Sequence, residues 1–348
     1  MYNFAIQSYR GQYKVSFFKT IISLSEKIEE DDYLIIDRNV LSMYPLFEKY
    51  TNKIVVDALE SNKNPYYSLE IINTLISSGF KRKNKVVAIG GGIVQDITGF
   101  VSSILFRGID WHFVPTTLLA QADSCIGSKT SLNLGSIKNT LGTFHPPREI
   151  YSCSDFLVTL EKKDIKSGIG EMLHYFLIEN KKVAIDMMSQ YEDLINNPSL
   201  KMGEYIQQSL KIKSKIIEVD EFDTNIRRIF NYGHTFGHAI ESITNNLINH
   251  GQAVTKGIDI ANWVSYKLGH ISYDLYLELY KIIEKNIPTF QLDNIEQYIQ
   301  ILKKDKKNLN KESIFCILLD GKTAVTEEID IDDLKNILES YNRKRVEY

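Results

Sequence analysis

His234, His238 and His250 fall within the short segment Asn231–Gln252, and Glu171 lies on a helix-like stretch well upstream. Imidazole nitrogen and carboxylate oxygen are the donors that hold a divalent ion at a catalytic site, so the later half of the chain is read as the place of a metal. His234 and His238 are four residues apart and share one face of a helix, from which one or both can reach an ion that His250 approaches from another segment. His174 makes a Glu-x-x-His pair with Glu171, and one such pair alone defines no site. A second signal lies earlier. The strand-like run Lys85–Ile89 empties into Gly90-Gly91-Gly92 ahead of a helix-like stretch, so that backbone N–H groups and the positive end of a helix can face a nucleotide phosphate. Gln95 occupies the place of the third glycine in a G-x-G-x-x-G pattern, and Asp96 either caps the helix or holds the cofactor. Arg107, Lys129, Lys138, Lys213, Arg227, Lys306 and Lys307, with Asn139 beside Lys138, offer donors for the phosphate and carboxylate of a small substrate, although each taken singly also fits a solvated face.

The elements that must carry these residues change character along the chain. Tyr33–Ile36, Lys53–Val56, Lys85–Ile89 and Trp111–Val114 are short β-branched runs, and Tyr66–Ile76 between them has helical apolar spacing. Strands alternating with helices predict a parallel α/β sheet, here a Rossmann-like domain over residues 1–160. From 161 to 348 the pattern predicts a mostly α-helical, metal-binding domain, with amphipathic helices over Lys166–Glu179, Met202–Val219, Arg228–Ile243, Ala253–Leu268 and Leu275–Lys285. Ile314–Leu318 reads as a strand or a buried helix turn.

Composition narrows the function classes. With 348 residues, 43% hydrophobic and 24% charged, the chain can bury two cores. A net charge of -3 supplies no basic field for nucleic acid. Cys125, Cys153 and Cys316 have no C-x-x-C spacing, which argues against a disulfide framework and a thiolate zinc site. Without a signal-like start or a run of about 20 apolar residues, the expected place is the cytoplasm, with no membrane partner.

Taken in order, Glu60–Lys63, Gly90–Asp96, Phe106–Gly108, Pro115–Ser124, Gly127–Thr130, Lys138-Asn139, Gly170-Glu171, Asn231–His238 and His250-Gly251 resemble the 3-dehydroquinate synthase family of sugar phosphate cyclases. The resemblance runs from about Asp37 to about Lys307 and, being made of many ordered pieces, is specific. It implies that Asp37, Asn39, Glu60, Lys63, Gly91, Gly92, Asp96, Thr116, Thr117, Asp123, Lys138 and Thr159 contact NAD. It implies Glu171, His234 and His250 as ligands of zinc or cobalt, leaving His238 to the substrate phosphate. Lys129, Asn139, one of Lys306 and Lys307, and Arg107 supplied across a homodimer interface complete the implied phosphate pocket; Lys213, Arg227 and Asn231 hold the carboxylate and hydroxyl end. The implied reaction oxidises a ring hydroxyl with NAD, eliminates phosphate, returns the hydride and closes the opened enolate to a carbocycle.

Three residues depart from the family pattern. His174 stands where most members have a lysine, Gln95 replaces a glycine in the phosphate loop, and Ser128 replaces one beside Lys129. The first bears on the substrate, because an imidazole cannot simply replace an ammonium. Arg227 and Asn231 keep the pattern suited to a carboxylate, which points to 3-deoxy-arabino-heptulosonate 7-phosphate and its product 3-dehydroquinate. A cyclase of sedoheptulose 7-phosphate or glucose 6-phosphate type is the alternative, followed by an NAD- and metal-dependent polyol dehydrogenase. A silent scaffold is a third reading, opposed by the joint presence of Glu171, His234, His250 and Lys129.

Overall fold

The computed structural model describes residues 3–135, 137–304, 312–321 and 323–344; Lys306 and Lys307 fall outside them. The chain forms two compact units, Met1–Glu161 with Asn196–Phe222, and Lys162–Ile195 with Asp223–Tyr348. The first is built on a seven-stranded sheet ordered β1 (Phe4–Ile6), β2 (Tyr13–Phe17), β9 (Glu149–Ser152), β6 (Trp111–Pro115), β5 (Val86–Gly90), β3 (Tyr33–Asp37) and β4 (Lys53–Val56). Every neighbouring pair is parallel except β1 with β2. Leu34, Ile35 and Ile36 of β3 and Val86 to Ile89 of β5 are fully buried, as expected for continuous apolar strands covered on both faces. The four β-branched runs read from the sequence are β3 to β6 of this sheet.

Strand β3 has β4 on one side and β5 on the other, so the chain reverses its direction of travel across the sheet between them. Side chains and loops diverge there and leave a crevice at the carboxyl ends of the strands. Asp37 and Gly90 to Gly92 stand at that edge. A separate antiparallel hairpin, β7 (Lys129–Leu134) with β8 (Ile137–Phe144), belongs to the same unit.

The helix Pro198–Ile217, grouped from its sequence with the later helices, packs in the first unit. Ser209 Oγ donates to the Ala122 carbonyl at 2.8 Å, and the Lys213 ammonium sits 2.6 Å from Asp123 Oδ1. An amphipathic pattern says that Met202, Ile206 and Leu210 must be covered, and is silent on which partner covers them.

The second unit is mostly helical. Its long helices include Lys162–Glu179, His234–Ile243, His250–Lys267 and Tyr273–Ile283, joined by an antiparallel hairpin of β10 (Ser313–Leu319) and β11 (Ala324–Asp330). The segment left open between strand and helix turn is thus a strand. The single helix expected over Arg228–Ile243 is two pieces: a short 3-10 turn, Ile226–Asn231, and a helix that starts at His234 after Gly233 at φ 79°. Glycine takes that left-handed value without steric cost, and the break sets the direction in which His234 leaves the turn.

Three of these helices approach backbone to backbone. A Cβ on Gly251 would lie 1.7 Å from the Ser167 carbonyl oxygen, one on Gly170 2.0 Å from that of Gly251, and one on Gly257 2.0 Å from that of Gly233. The helix from His250 therefore touches the helix of Glu171 on one side and that of His234 on the other, at distances only glycine permits. A buried polar set sits beside the contact: Asn286 Nδ2 donates to Thr255 Oγ1 at 2.8 Å and to the Lys166 carbonyl at 3.2 Å, and Tyr191 donates to Asn286 Oδ1 at 3.0 Å. Among the described residues the three cysteines are free and buried, and no helix is long and apolar enough to cross a membrane.

Because a methyl group at Gly257 meets backbone that cannot yield without separating two helices, Gly257→Ala should destabilise the protein by about 1–3 kcal/mol or more, read as a lower melting temperature. An unchanged melting temperature contradicts the close packing.

Candidate active site

The glycine contacts bring three side chains from three helices to one point. Glu171 is 4% exposed, at the middle of its helix; His234 opens its helix after the Gly233 turn; His250 opens another after the Asn249 cap. One donor atom from each lies within 4.8 Å of the other two. Glu171 Oε1 is 3.4 Å from His234 Nε2, and Oε2 is 3.3 Å from His250 Nε2.

The outer nitrogens of both imidazoles are occupied in a way that frees the inner ones. His250 Nδ1 lies 3.0 Å from Glu241 Oε2, and His234 Nδ1 lies 3.3 Å from the Tyr232 carbonyl. If Nδ1 carries the proton in each, both Nε2 lone pairs face the Glu171 carboxylate, the tautomer a metal ligand needs. Glu171 Oε2 is buried and accepts no well-aligned hydrogen bond among the described residues. A buried carboxylate oxygen left in that state beside two imidazole nitrogens is the chemistry of a cation site, and the donor set fits zinc or cobalt. Burial would raise the Glu171 pKa, but the nearby imidazoles of His234, His174 and His250 hold it well below the usual range. Burial likewise opposes charge on His250, whose pKa is nonetheless raised well above the ordinary value by Glu171 and Glu241. Glu241 was not singled out by the sequence reading. Its signal was its place seven residues after His234, two turns along the same helix.

His238 is exposed, with its ring centroid 5.5 Å from that of His234 and 5.6 Å from that of His250. It lines a pocket of about 660 Å³ with Thr235, Ser242, Gln297, Gln300 and Lys304. Lys304 thus brings a cation to the pocket that His238 lines, just before the segment in which a phosphate contact was expected. His174 is fully buried: its ring packs 3.8 Å from that of Tyr175 and 5.0 Å from that of His234, with Nδ1 3.7 Å from Glu171 Oε1. In this structure it backs the carboxylate. Arg227 is buried and Asn231 half-buried on the turn before His234, where Asn231 Nδ2 donates to the Arg228 carbonyl at 2.9 Å.

In the first unit, Gly91 begins the helix Gly92–Ile104 with no side chain capping it, so its first N–H groups remain open to an anion. A Cβ on Gly91 would lie 2.9 Å from Thr117 Cγ2, so glycine is what lets the turn and β6's following loop close on each other. Thr116 is buried, its N–H on the Gly90 carbonyl at 2.9 Å. Asp37 caps the next helix through Asn39 N at 2.9 Å, and burial raises its pKa. Thr159 meets the Tyr44 hydroxyl at 3.0 Å.

Glu60, Lys63, Asp96 and Asn139 are drawn into one network. Lys63 Nζ is 2.6 Å from Asp96 Oδ2 and donates to Asn139 Oδ1 at 2.7 Å; Asp96 accepts from Ser131 N at 2.8 Å; Asn133 joins Glu60 Oε1 at 2.7 Å to the Asn139 N–H at 2.9 Å. Burial raises the Asp96 pKa against the opposing pull of Lys63. Asp96 therefore ties the helix to the β7–β8 hairpin rather than capping it, and Asn139, expected at the phosphate, sits with the expected cofactor residues. Gln95 fills the missing glycine's place productively: its Nε2 donates to the Ser124 carbonyl at 2.5 Å, and Ser124 Oγ donates back to Oε1 at 2.7 Å. Lys213 is paired with Asp123. Lys129 and Lys138 are exposed on the hairpin. Arg107 is exposed on a turn where Phe106, Arg107 and Gly108 all have positive φ (50°, 66° and 108°).

A largely parallel sheet with a glycine turn at its carboxyl edge, joined in sequence to a helical unit with a Glu-His-His cluster, defines a two-domain plan with a candidate nucleotide edge in one unit and a candidate metal site in the other. Residues 53–167 match the model of the 3-dehydroquinate synthase N-terminal domain and residues 168–308 that of its C-terminal domain. A 3-dehydroquinate synthase of Clostridium tetani is 33% identical over 336 residues, covering 93% of this chain and 90% of that protein. The chain belongs to the 3-dehydroquinate synthase family. The fold is shared with 2-epi-5-epi-valiolone synthase from Streptomyces hygroscopicus, solved with NAD+ and Zn2+ (TM-score 0.85, 21% identity, 96% of this chain and 97% of that one). It is shared too with 2-deoxy-scyllo-inosose synthase, solved with carbaglucose-6-phosphate, NAD+ and Co2+ (TM-score 0.84, 24% identity, 97% and 99%).

Glu241 orients His250 without belonging to the three-donor cluster, so Glu241→Ala should leave the fold intact and weaken zinc binding about 10–100-fold, measured by competition with a chelating dye. Wild-type affinity in the variant contradicts that role.

Proposed function

We propose that the protein is a sugar phosphate cyclase that converts 3-deoxy-arabino-heptulosonate 7-phosphate to 3-dehydroquinate with release of phosphate and no net change in NAD. The observation that carries this reading is the convergence of Glu171, His234 and His250 in a member of the 3-dehydroquinate synthase family. In this reading those three residues hold a zinc or cobalt ion, and the open helix end at Gly91-Gly92, with Asp37, Thr116 and Thr117 at the same strand edge, receives NAD. When bound, NAD supplies a reversible hydride acceptor and the ion a Lewis acid toward a hydroxyl or carbonyl oxygen.

The chain's own residues do the rest. His238, with Lys129, supplies donors to the substrate phosphate; such contacts strengthen as charge grows on the leaving group and so lower the barrier to its departure. Arg227 pairs with the substrate carboxylate through two parallel N–H donors, and Asn231 holds a neighbouring hydroxyl. Lys213 orients the adjoining oxygens while Asp123 fixes its ammonium. No side chain is assigned as the base for elimination: the phosphate dianion takes that proton itself. Arg107 reaches the phosphate of a neighbouring copy in a homodimer, in keeping with its exposed, rigidly turned position.

One observation favours a second reading. His174 stands beside Glu171, where the resemblance implies a lysine, and an imidazole there fits a cyclase with a different sugar phosphate. Incubation of the protein with NAD, zinc or cobalt and a panel of heptulosonate, heptulose and hexose phosphates separates the two. The expected result is phosphate release and a carbocycle from the heptulosonate, without NADH accumulation. Turnover only of a neutral sugar phosphate supports the second reading; steady NADH formation without phosphate release overturns both in favour of a dehydrogenase. Glu171→Gln and His250→Ala are each expected to lose bound metal and phosphate release together while the first unit stays folded, as metal analysis and NAD titration report. Full turnover in a metal-free variant contradicts the ligand assignment.

A further inference from the structure

The turn that delivers Lys129 is held in a conformation its sequence does not favour. Ser128 has φ 66°, the left-handed region in which a Cβ crowds the following carbonyl oxygen. Glycine takes this value at no cost; serine must be held there. Ser128 is 6% exposed, its carbonyl accepts from His145 N at 2.6 Å, and the Lys129 N–H donates back to the Gly127 carbonyl at 2.8 Å. Its hydroxyl donates to the carboxylate of Glu221. Glu221 is itself 8% exposed and accepts twice more, from Ser8 Oγ at 2.7 Å and from Tyr9 N at 2.8 Å. One buried carboxylate therefore clasps the loop between β1 and β2, the Ser128 turn, and the chain leaving the helix Pro198–Ile217, all within the first unit. Left-handed non-glycine residues persist where their surroundings over-determine them, and they gather at functional sites.

We propose that Glu221 is a positioning residue for Lys129: through the Ser128 hydroxyl it holds the left-handed turn from which the Lys129 ammonium meets the substrate phosphate. The proposal rests on the reading of Lys129 as a phosphate contact. It predicts that the hydroxyl–carboxylate bond offsets the cost of a Cβ at this left-handed position, so that a glycine at 128 makes the bond dispensable. A clasp that merely stabilised the unit has no such property.

The test is calorimetric titration of inorganic phosphate into the full-length protein incubated with NAD and zinc, at fixed ionic strength, with melting temperature followed in parallel. Ser128→Ala keeps the Cβ and removes the hydroxyl, and should weaken phosphate binding about tenfold. Ser128→Gly should bind within a few-fold of the parent. Glu221→Gln should weaken binding like Ser128→Ala, and the added Ser128→Gly change should recover most of that loss even though the melting temperature stays low. Equal phosphate affinity in Ser128→Ala and the parent, or equal losses in the alanine and glycine variants, overturns the proposal. So does a Glu221→Gln loss that glycine at 128 does not reduce; should that variant fail to fold, the alanine and glycine pair decides. A parent protein that binds no phosphate, or binds it equally after Lys129→Ala, is a different failure: it removes the phosphate reading of Lys129 and the proposal with it.

Discussion

The second unit is organised around one unfavourable group, the buried carboxylate of Glu171. An ionised carboxylate taken out of water costs several kcal/mol unless charge and hydrogen bonds replace its hydration. Here His174 contributes from the same helix, and the rest of the compensation comes from His234 and His250 on other helices. Two imidazoles come within 3.4 Å only because the helix axes approach more closely than any side chain would allow, and that closeness is bought by Gly170, Gly251, Gly257 and Gly233. The same atoms that relieve the carboxylate form the set able to chelate a cation, so the packing of the unit and its proposed chemistry share one cause. Glu241 and the Tyr232 carbonyl extend the arrangement outward, fixing which nitrogen of each ring points inward.

The first unit solves a different problem, that of presenting bare backbone N–H groups. A helix whose cap is Gly91 leaves its first donors open, and the order of β4, β3 and β5 places that helix end at the reversal point of the sheet. Around it, charged groups are mutually satisfied before any ligand arrives: Lys63 with Asp96, Lys213 with Asp123. Lys63 and Asp96 also reach Asn139 and Ser131 of the hairpin β7–β8, and Asp123 anchors the helix Pro198–Ile217 to the segment after β6, so residues proposed to meet substrate are mounted on elements locked by residues proposed to meet cofactor. Preorganisation of this kind lowers the cost of ordering a site when ligands bind.

Much of this was legible in the sequence, and the parts that were not share a reason. The strands β3 to β6 announced themselves as short β-branched, largely apolar runs, interrupted at Lys53 of β4 and His112 of β6. The cluster Glu171, His234, His250 emerged from the order of motifs, since helical spacing alone pairs His234 with His238 and cannot choose His250. Three features resisted. The helix Pro198–Ile217 looked like its neighbours because amphipathicity names a buried face and no partner. The break before His234 hid inside an apolar helical pattern that Gly233 interrupts with a single backbone angle. The β7–β8 hairpin has strands too polar and exposed to stand out, and the partners of Asp96, Gln95 and Ser128 are set by contacts across long stretches of sequence that no local pattern records.

The most direct measurement of the central claim is X-ray absorption at the zinc edge of the zinc-loaded protein, compared with His250→Ala. The account predicts two imidazole nitrogens and one or more oxygen donors at about 2.0–2.2 Å, with one imidazole contribution lost in the variant. A spectrum with sulfur ligands, with no imidazole scattering, or unchanged by the substitution would contradict it.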